Sequence, residues 1–246
     1  MIELTEQGGV AVLRLGHGKV NAMSLEFCEA LTARFAAVSS ARAVVLTGTG
    51  HIFSAGVDLL RLTEGGASYI RKFLPALSTM LVTVFSHPGP VVAAINGHAI
   101  AGGCVLACAA DRRMMARNGA RIGITELLVG VPFPPAAMEI MRCATAPQFF
   151  AEAIFGGATY SPIDAVGRGW IHDLAEPEAL IDRALEAANT LAALPAKAFA
   201  VSKGQTREPA LERMQNREID AAIEQIWTAP ETLQRVRDYV ARTLRK

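Results

Sequence analysis

Two stretches of the chain place glycine where an apolar run gives way to a turn or a helix: FSAGVDLL at 53–60 and AGGCVLA at 101–107. A residue without Cβ lets backbone N–H groups face a ligand unobstructed, and a helix start adds unpaired donors and a favourable dipole. Two such donors converging would form an oxyanion hole, which stabilises negative charge as it develops on a carbonyl oxygen. Spacing alone favours the plainer reading, in which the same glycines only permit tight turns and close packing. A third candidate is Glu126 in IGITELLVGVP, a single carboxylate among apolar neighbours. Loss of water there would raise its basicity. The plainer alternative is that it follows Thr125 into the first turn of a helix and complements the dipole.

Other chemistries fit the residues less well. TGTGHIF follows a strand and offers Gly48 and Gly50, but Phe53 stands where a dinucleotide loop needs its third glycine. GHGK near Lys19 lacks the spacing and the trailing Ser or Thr of a phosphate loop. No G-x-S-x-G occurs, and His17, His51, His87, His98 and His172 stand in no nucleophile pattern. Cys104 and Cys108 lie four apart without nearby His or acidic partners, so they read as small core residues rather than metal ligands.

These candidates need strands and helices to hold them, and the pattern supplies both. VAVLRLG reads as a strand, SLEFCEALTARFAAV as an amphipathic helix capped by Ser24, and ARAVVLTGTG as a buried strand. A long helix ends near His87-Pro88, GPVVAAING returns as a strand, and a small-residue helix begins at Gly102-Gly103. From about residue 145 the pattern turns almost wholly helical, and a composition shift near Pro195 marks a tail of amphipathic helices suited to packing on another subunit. The 24 Lys and Arg nearly balance 23 Asp and Glu, so nothing in the bulk charge indicates nucleic acid or a membrane surface as partner. No apolar run reaches membrane-span length, and the polar MIELTEQGG with four scattered cysteines leads us to expect a reduced, cytoplasmic setting.

Taken together and in order, VNAMSLEFCEAL, VVLTGTGHIFSAGVDL, AINGHAIAGGCVLACAAD and IGITELLVGVPFP resemble the enoyl-CoA hydratase/isomerase family, the crotonases, over essentially the whole chain. The resemblance implies an α/β fold, a ClpP-like spiral of ββα units over 1–194 carrying an acyl-CoA site. A helical trimerisation region over 195–246 would complete a homotrimer or a dimer of trimers. It implies an acyl-CoA thioester as substrate, with coenzyme A part of that substrate and no metal or separate cofactor. Val57 and Gly102 would supply the oxyanion-hole N–H groups, with Ala55, Gly56, Gly103, Leu60 and Phe133 beside the substrate.

Hydratases of the family carry two glutamates; here the first position is Val105 and the second is Glu126. The chain is therefore most similar to monofunctional Δ3,Δ2-enoyl-CoA isomerases of fatty acid β-oxidation, in which a lone glutamate moves a proton from C2 to C4 of a 3-enoyl thioester. Alternatives are a hydratase-like enzyme with weak or different thioester chemistry and a non-catalytic acyl-CoA binding protein. Arg14, Lys19, Arg242, Arg245 and Lys246 are candidates for the CoA phosphates, and Leu62, Ile70 and Phe73, with Leu60 and Phe133, for the acyl pocket. Asp58 and Asp111 fall where family members use carboxylates structurally.

Overall fold

A computed structural model describes residues 2–243 of the chain. Two strands followed by a helix recur four times: β1 (Ile2–Gln7), β2 (Val10–Leu15), α1 (Leu25–Ala37); β3 (Ala43–Thr47), β4 (Ile52–Ser54), α2 (Leu59–Ser86); β5 (Val91–Ile95), β6 (His98–Ile100), α3 (Gly102–Cys108); β7 (Arg112–Ala116), β8 (Ile122–Gly123), α4 (Glu126–Val129). Next come α5 (Pro135–Ala144), α6 (Pro147–Gly156), β9 (Thr159–Tyr160), α7 (Pro162–Gly167), β10 (Asp173–Ala175) and α8 (Leu180–Ala192). The chain closes with α9 (Ala196–Arg213), α10 (Arg217–Thr228) and α11 (Pro230–Thr243).

From the second repeat onward the two strands of each unit enter different sheets. One sheet runs β1-β2-β3-β5-β7-β10 and the other β4-β6-β8-β9. The β1–β2 hairpin is antiparallel, whereas β2, β3, β5, β7 and β10 pair in parallel. Strands AVVLT and VVAAI are buried along their whole length, as parallel strands covered on both faces must be. Their side chains alternate: Val44, Leu46, Val91, Ala93 and Ile95 enter the main core, while Ala43, Val45, Val92 and Ala94 meet Leu180, Ala184 and Ala188 of α8. After residue 145 the chain is less purely helical than its pattern suggests. Strands β9 and β10 are two and three residues long, too short to show a period.

Helix α1 begins as read, with the Ser24 hydroxyl accepting from Phe27 N at 3.2 Å, and buries Phe27, Cys28, Leu31 and Phe35 on one face. Helix α2 starts at the Asp58 cap, breaks at Gly66 (φ 58°, ψ −154°) and ends before His87-Pro88. Cys104 and Cys108 are buried in the main core. Part of the apolar surface of α10 and α11 is used within the chain, since both helices pack on α2 and Ile223, Trp227 and Val236 join the main core, while Ile219 and Ile226 of α10 stay exposed. Among the described residues no helix is long and apolar enough to cross a membrane.

Helix α9 is fastened by one carboxylate. Asp111 accepts from Val91 N at 2.7 Å and pairs with both Lys203 Nζ and Arg207 Nη2 at 2.7 Å. Removing one partner from a buried ionic cluster leaves uncompensated charge, at a cost of about 3–5 kcal/mol. Asp111→Ala should therefore lower the unfolding free energy in urea by about that amount. A loss below about 1 kcal/mol, the ceiling for a surface ion pair, would mean that Asp111 does not hold α9.

Candidate active site

The first wall of the site is the segment that leaves β4. Val57 forms a single parallel bridge with Met23, made by Met23 N to Gly56 O at 2.7 Å and Asp58 N to Met23 O at 3.0 Å. In such a bridge the flanking residues bond to the partner strand, so the N–H of Val57 points away from Met23. Gly56 sits at φ 82° and is pressed against the next unit: a Cβ there would lie 2.7 Å from Ile100 O and 3.0 Å from Gly102 N. Only glycine permits both that φ and that approach. Buried Asn21 braces the segment, its amide donating to Phe53 O at 3.1 Å and accepting from His17 N at 2.8 Å.

The second wall is the entrance to α3. Ala101 adopts φ 52°, ψ −126° and donates to Gly123 O at 2.7 Å, and the helix begins one residue later. A non-glycine residue at positive φ costs of order 1–3 kcal/mol, which the strand pairing on either side must hold in place. Among the described residues, neither Val57 N–H nor Gly102 N–H has a hydrogen-bond acceptor. The two residues are neighbours, since a Cβ on Gly102 would lie 3.7 Å from Gly56 Cα and 3.8 Å from Val57 Cγ2. Gly103 has a different duty. Its Cβ would meet Ser54 O at 2.2 Å, so it lets α3 pack on β4 and contributes close packing rather than a surface for substrate.

The third component is Glu126, the first residue of the single turn α4, which Gly130 closes at φ 87°. Its Oε2 is shut away from solvent and has no hydrogen-bond partner among the described residues. Burial pushes the carboxyl up from 4.5 to about 7, against the opposing pull of the Glu126 and Thr125 backbone N–H groups. Val105 on α3 is fully buried and adds no proton-transfer group.

A cleft of about 420 Å³ reaches Val57 from outside. Ala55 and Leu60 line it, as the sequence suggests, together with Lys19. His17, Val20, Tyr239 and Val240 also line it; the first two come from the β2–α1 connection and the last two from α11. No sequence signal marked these four. Phe133 is 5% exposed and packs in the main core with Leu62, Ile70 and Phe73; none of them lines this cleft. Arg14 reaches Gly48 O rather than the cleft, Arg242 bonds within α11 to Asp238 O, and Asp58 caps α2. Arg245 and Lys246 lie outside the described residues.

The family model for enoyl-CoA hydratase/isomerase matches residues 5–236. A Thermus thermophilus relative with a provisional hydratase name is 36% identical over 170 residues, 68% of this chain and 65% of its own length. The apo structure of an Mtb enoyl-CoA isomerase superposes with TM-score 0.81 at 32% identity, covering 92% of this chain and 96% of that one. Human mitochondrial delta3-delta2-enoyl-CoA isomerase superposes with TM-score 0.93 at 24% identity, covering 98% and 97%, which speaks for the shared fold. The ββα spiral, the glycine-paired amides and the length of the match lead to one assignment: the chain is a member of the enoyl-CoA hydratase/isomerase family and has the crotonase fold.

Proposed function

We propose that this chain is an enoyl-CoA isomerase that moves the double bond of a 3-enoyl-CoA to the 2-position. The thioester oxygen would rest between Val57 N–H and Gly102 N–H, the two unpaired amides, each donor contributing about 2.7–4 kcal/mol toward the anionic state. Glu126 takes the proton from C2; the C2–H pair then spreads over a dienolate whose charge sits on the thioester oxygen. The same carboxyl returns the proton to C4, C2 and C3 become doubly bonded, and no electron leaves the substrate. Proton transfer alone completes the reaction, so it calls for no metal or redox cofactor.

The observation that carries this reading is the unpartnered, desolvated Oε2 of Glu126. A carboxyl that titrates near neutrality is a competent base at C2, and once protonated a competent acid at C4. Hydration would need a second group to handle water, and Val105 stands at the position where hydratases carry a glutamate. The names of the relatives divide between the two reactions, the same Mtb protein being called an isomerase in one structure and a probable hydratase in another, so the single-base reading rests on the residues of this chain. Ala55, Gly56 and Leu60 would flank the thioester and its CoA arm. Lys19, exposed at the mouth of the cleft, would meet a CoA phosphate. Assembly as a homotrimer or dimer of trimers and a cytoplasmic setting belong to the same proposal.

Supplied with trans-3-hexenoyl-CoA, the protein should generate conjugated 2-enoyl absorbance. Glu126→Gln should slow it by about 10²–10⁴, the span of a general base. Equal rates in both proteins would remove Glu126 from the chemistry. For the free enzyme, kcat/KM should rise with pH through about 7, as the buried carboxyl loses its proton.

The same shift has a cost in stability. The folded state holds the Glu126 proton between 4.5 and about 7 while the unfolded chain releases it, so wild-type stability falls as pH rises through that window. Glu126→Gln lacks this penalty, which is at most about 3.4 kcal/mol. The variant should melt at higher temperature than wild type at about pH 8 and lose most of that advantage at about pH 5. An advantage that grows on acidification would reverse the assigned direction of the shift.

A further inference from the structure

A cavity of about 500 Å³ opens at the end of α3 remote from Gly102, between the last turn of α5 and one face of α9. Its charge is unbalanced. Arg113, Lys203 and Arg207 line it against a single lining carboxylate, Asp111. Around the Cys143 thiol on its wall stand Arg142, Arg207 and Arg213 against Glu139 alone. The acidic residues of α9 offer no relief, since Glu208 and Glu212 are exposed and do not line the cavity.

Hydrogen-bonding capacity is also left over. Lys203, with its side chain only 7% exposed, gives two of its three ammonium hydrogens to Gly89 O and Asp111 Oδ2. Arg207 gives two of its five N–H groups to Phe85 O and Asp111 Oδ1. Arg113 directs its guanidinium to carbonyls at the close of α3 and to Trp170 O, so it supplies charge rather than spare donors. Burial pushes the Lys203 ammonium down to about 8 despite Asp111, and nearby Arg207 adds to the fall. The negative charge of an incoming anion would favour the ammonium form and so oppose both effects.

We propose that this cavity is a second ligand site, separate from the thioester cleft, which binds a phosphoryl dianion through Lys203 and Arg207. Two charges suit a setting in which cations outnumber carboxylates, and guanidinium and ammonium groups are the usual ligands of phosphoryl oxygens. Half-buried Phe199 on the wall gives the ester side of a phosphomonoester an apolar surface, while Phe85 is buried beneath the Arg207 guanidinium.

Cys143 supplies the readout, being the exposed thiol while Cys28, Cys104 and Cys108 are buried. The native protein should react with a dianionic aromatic disulfide reagent at one thiol. Inorganic phosphate at about ten times its Kd should slow that reaction roughly tenfold by mass action. Sodium chloride at matched ionic strength should slow it far less. Phenyl phosphate protecting at lower concentration than phosphate assigns the site to a monoester, and equal protection assigns it to the free ion. Ser202→Glu places a carboxylate in the cavity from an exposed helical position and should abolish phosphate protection while leaving the circular dichroism spectrum and enoyl-CoA turnover unchanged. No reactive thiol in the native protein, protection by chloride as strong as by phosphate, or protection that persists in Ser202→Glu would each overturn the proposal.

Discussion

The close main-chain contact between Gly56 and the Ala101–Gly102 peptide is the constraint on which the rest of the site depends. It leaves no room for a side chain, because a Cβ at position 56 would fall 2.7 Å from Ile100 O. Parallel pairing of β4, β6 and β8 makes the connections that carry Val57, Gly102 and Glu126 leave the same edge of this sheet, with Gly102 beside Gly56 and Val57. The same geometry accounts for the two unsatisfied amides. Val57 bridges through its neighbours, and Gly102 opens a helix whose preceding residue sits at positive φ. One connection is thus held in an unfavourable conformation at Ala101, while the other reaches its positive φ without strain because residue 56 is glycine.

Glu126 adds a second local cost that becomes useful beside the first. A one-turn helix ending at a left-handed glycine keeps Oε2 of the carboxyl away from solvent, and the resulting loss of solvation both destabilises its charged form and brings it near neutral pH. Val105 bears on the proposed reaction by omission: one carboxylate suffices to carry a proton between two carbons, whereas adding water calls for a second polar group.

Much of this architecture was readable along the chain. The Ser24 cap, the buried runs of β3 and β5 and the small-residue helix at the glycine pair each have a local cause, and each forms where that cause lies. Features without a local cause were not readable. Strands β9 and β10 are too short to show alternation. The apolar stripes of α10 and α11 do not reveal which of their residues face their own α2, as Ile223, Trp227 and Val236 enter the core while Ile219 and Ile226 stay exposed. Phe133 illustrates the ambiguity of apolarity, which is the same for a core as for a pocket. Gly102 and Gly103 are adjacent and chemically identical, yet one opens a helix beside Val57 while the other lies under Ser54, a difference set entirely by the atoms opposite. Tyr239 and Val240 enter the cleft from the far end of the chain, beyond the reach of any spacing rule.

The central proposal is that Glu126 acts as a base through a carboxyl held away from solvent, and the most direct measurement is titration of its own side-chain carboxyl carbon by NMR in the ligand-free protein, assigned by comparison with Glu126→Gln. A midpoint near 7 is predicted. A midpoint near the ordinary 4.5 would show a solvated carboxylate and contradict the account.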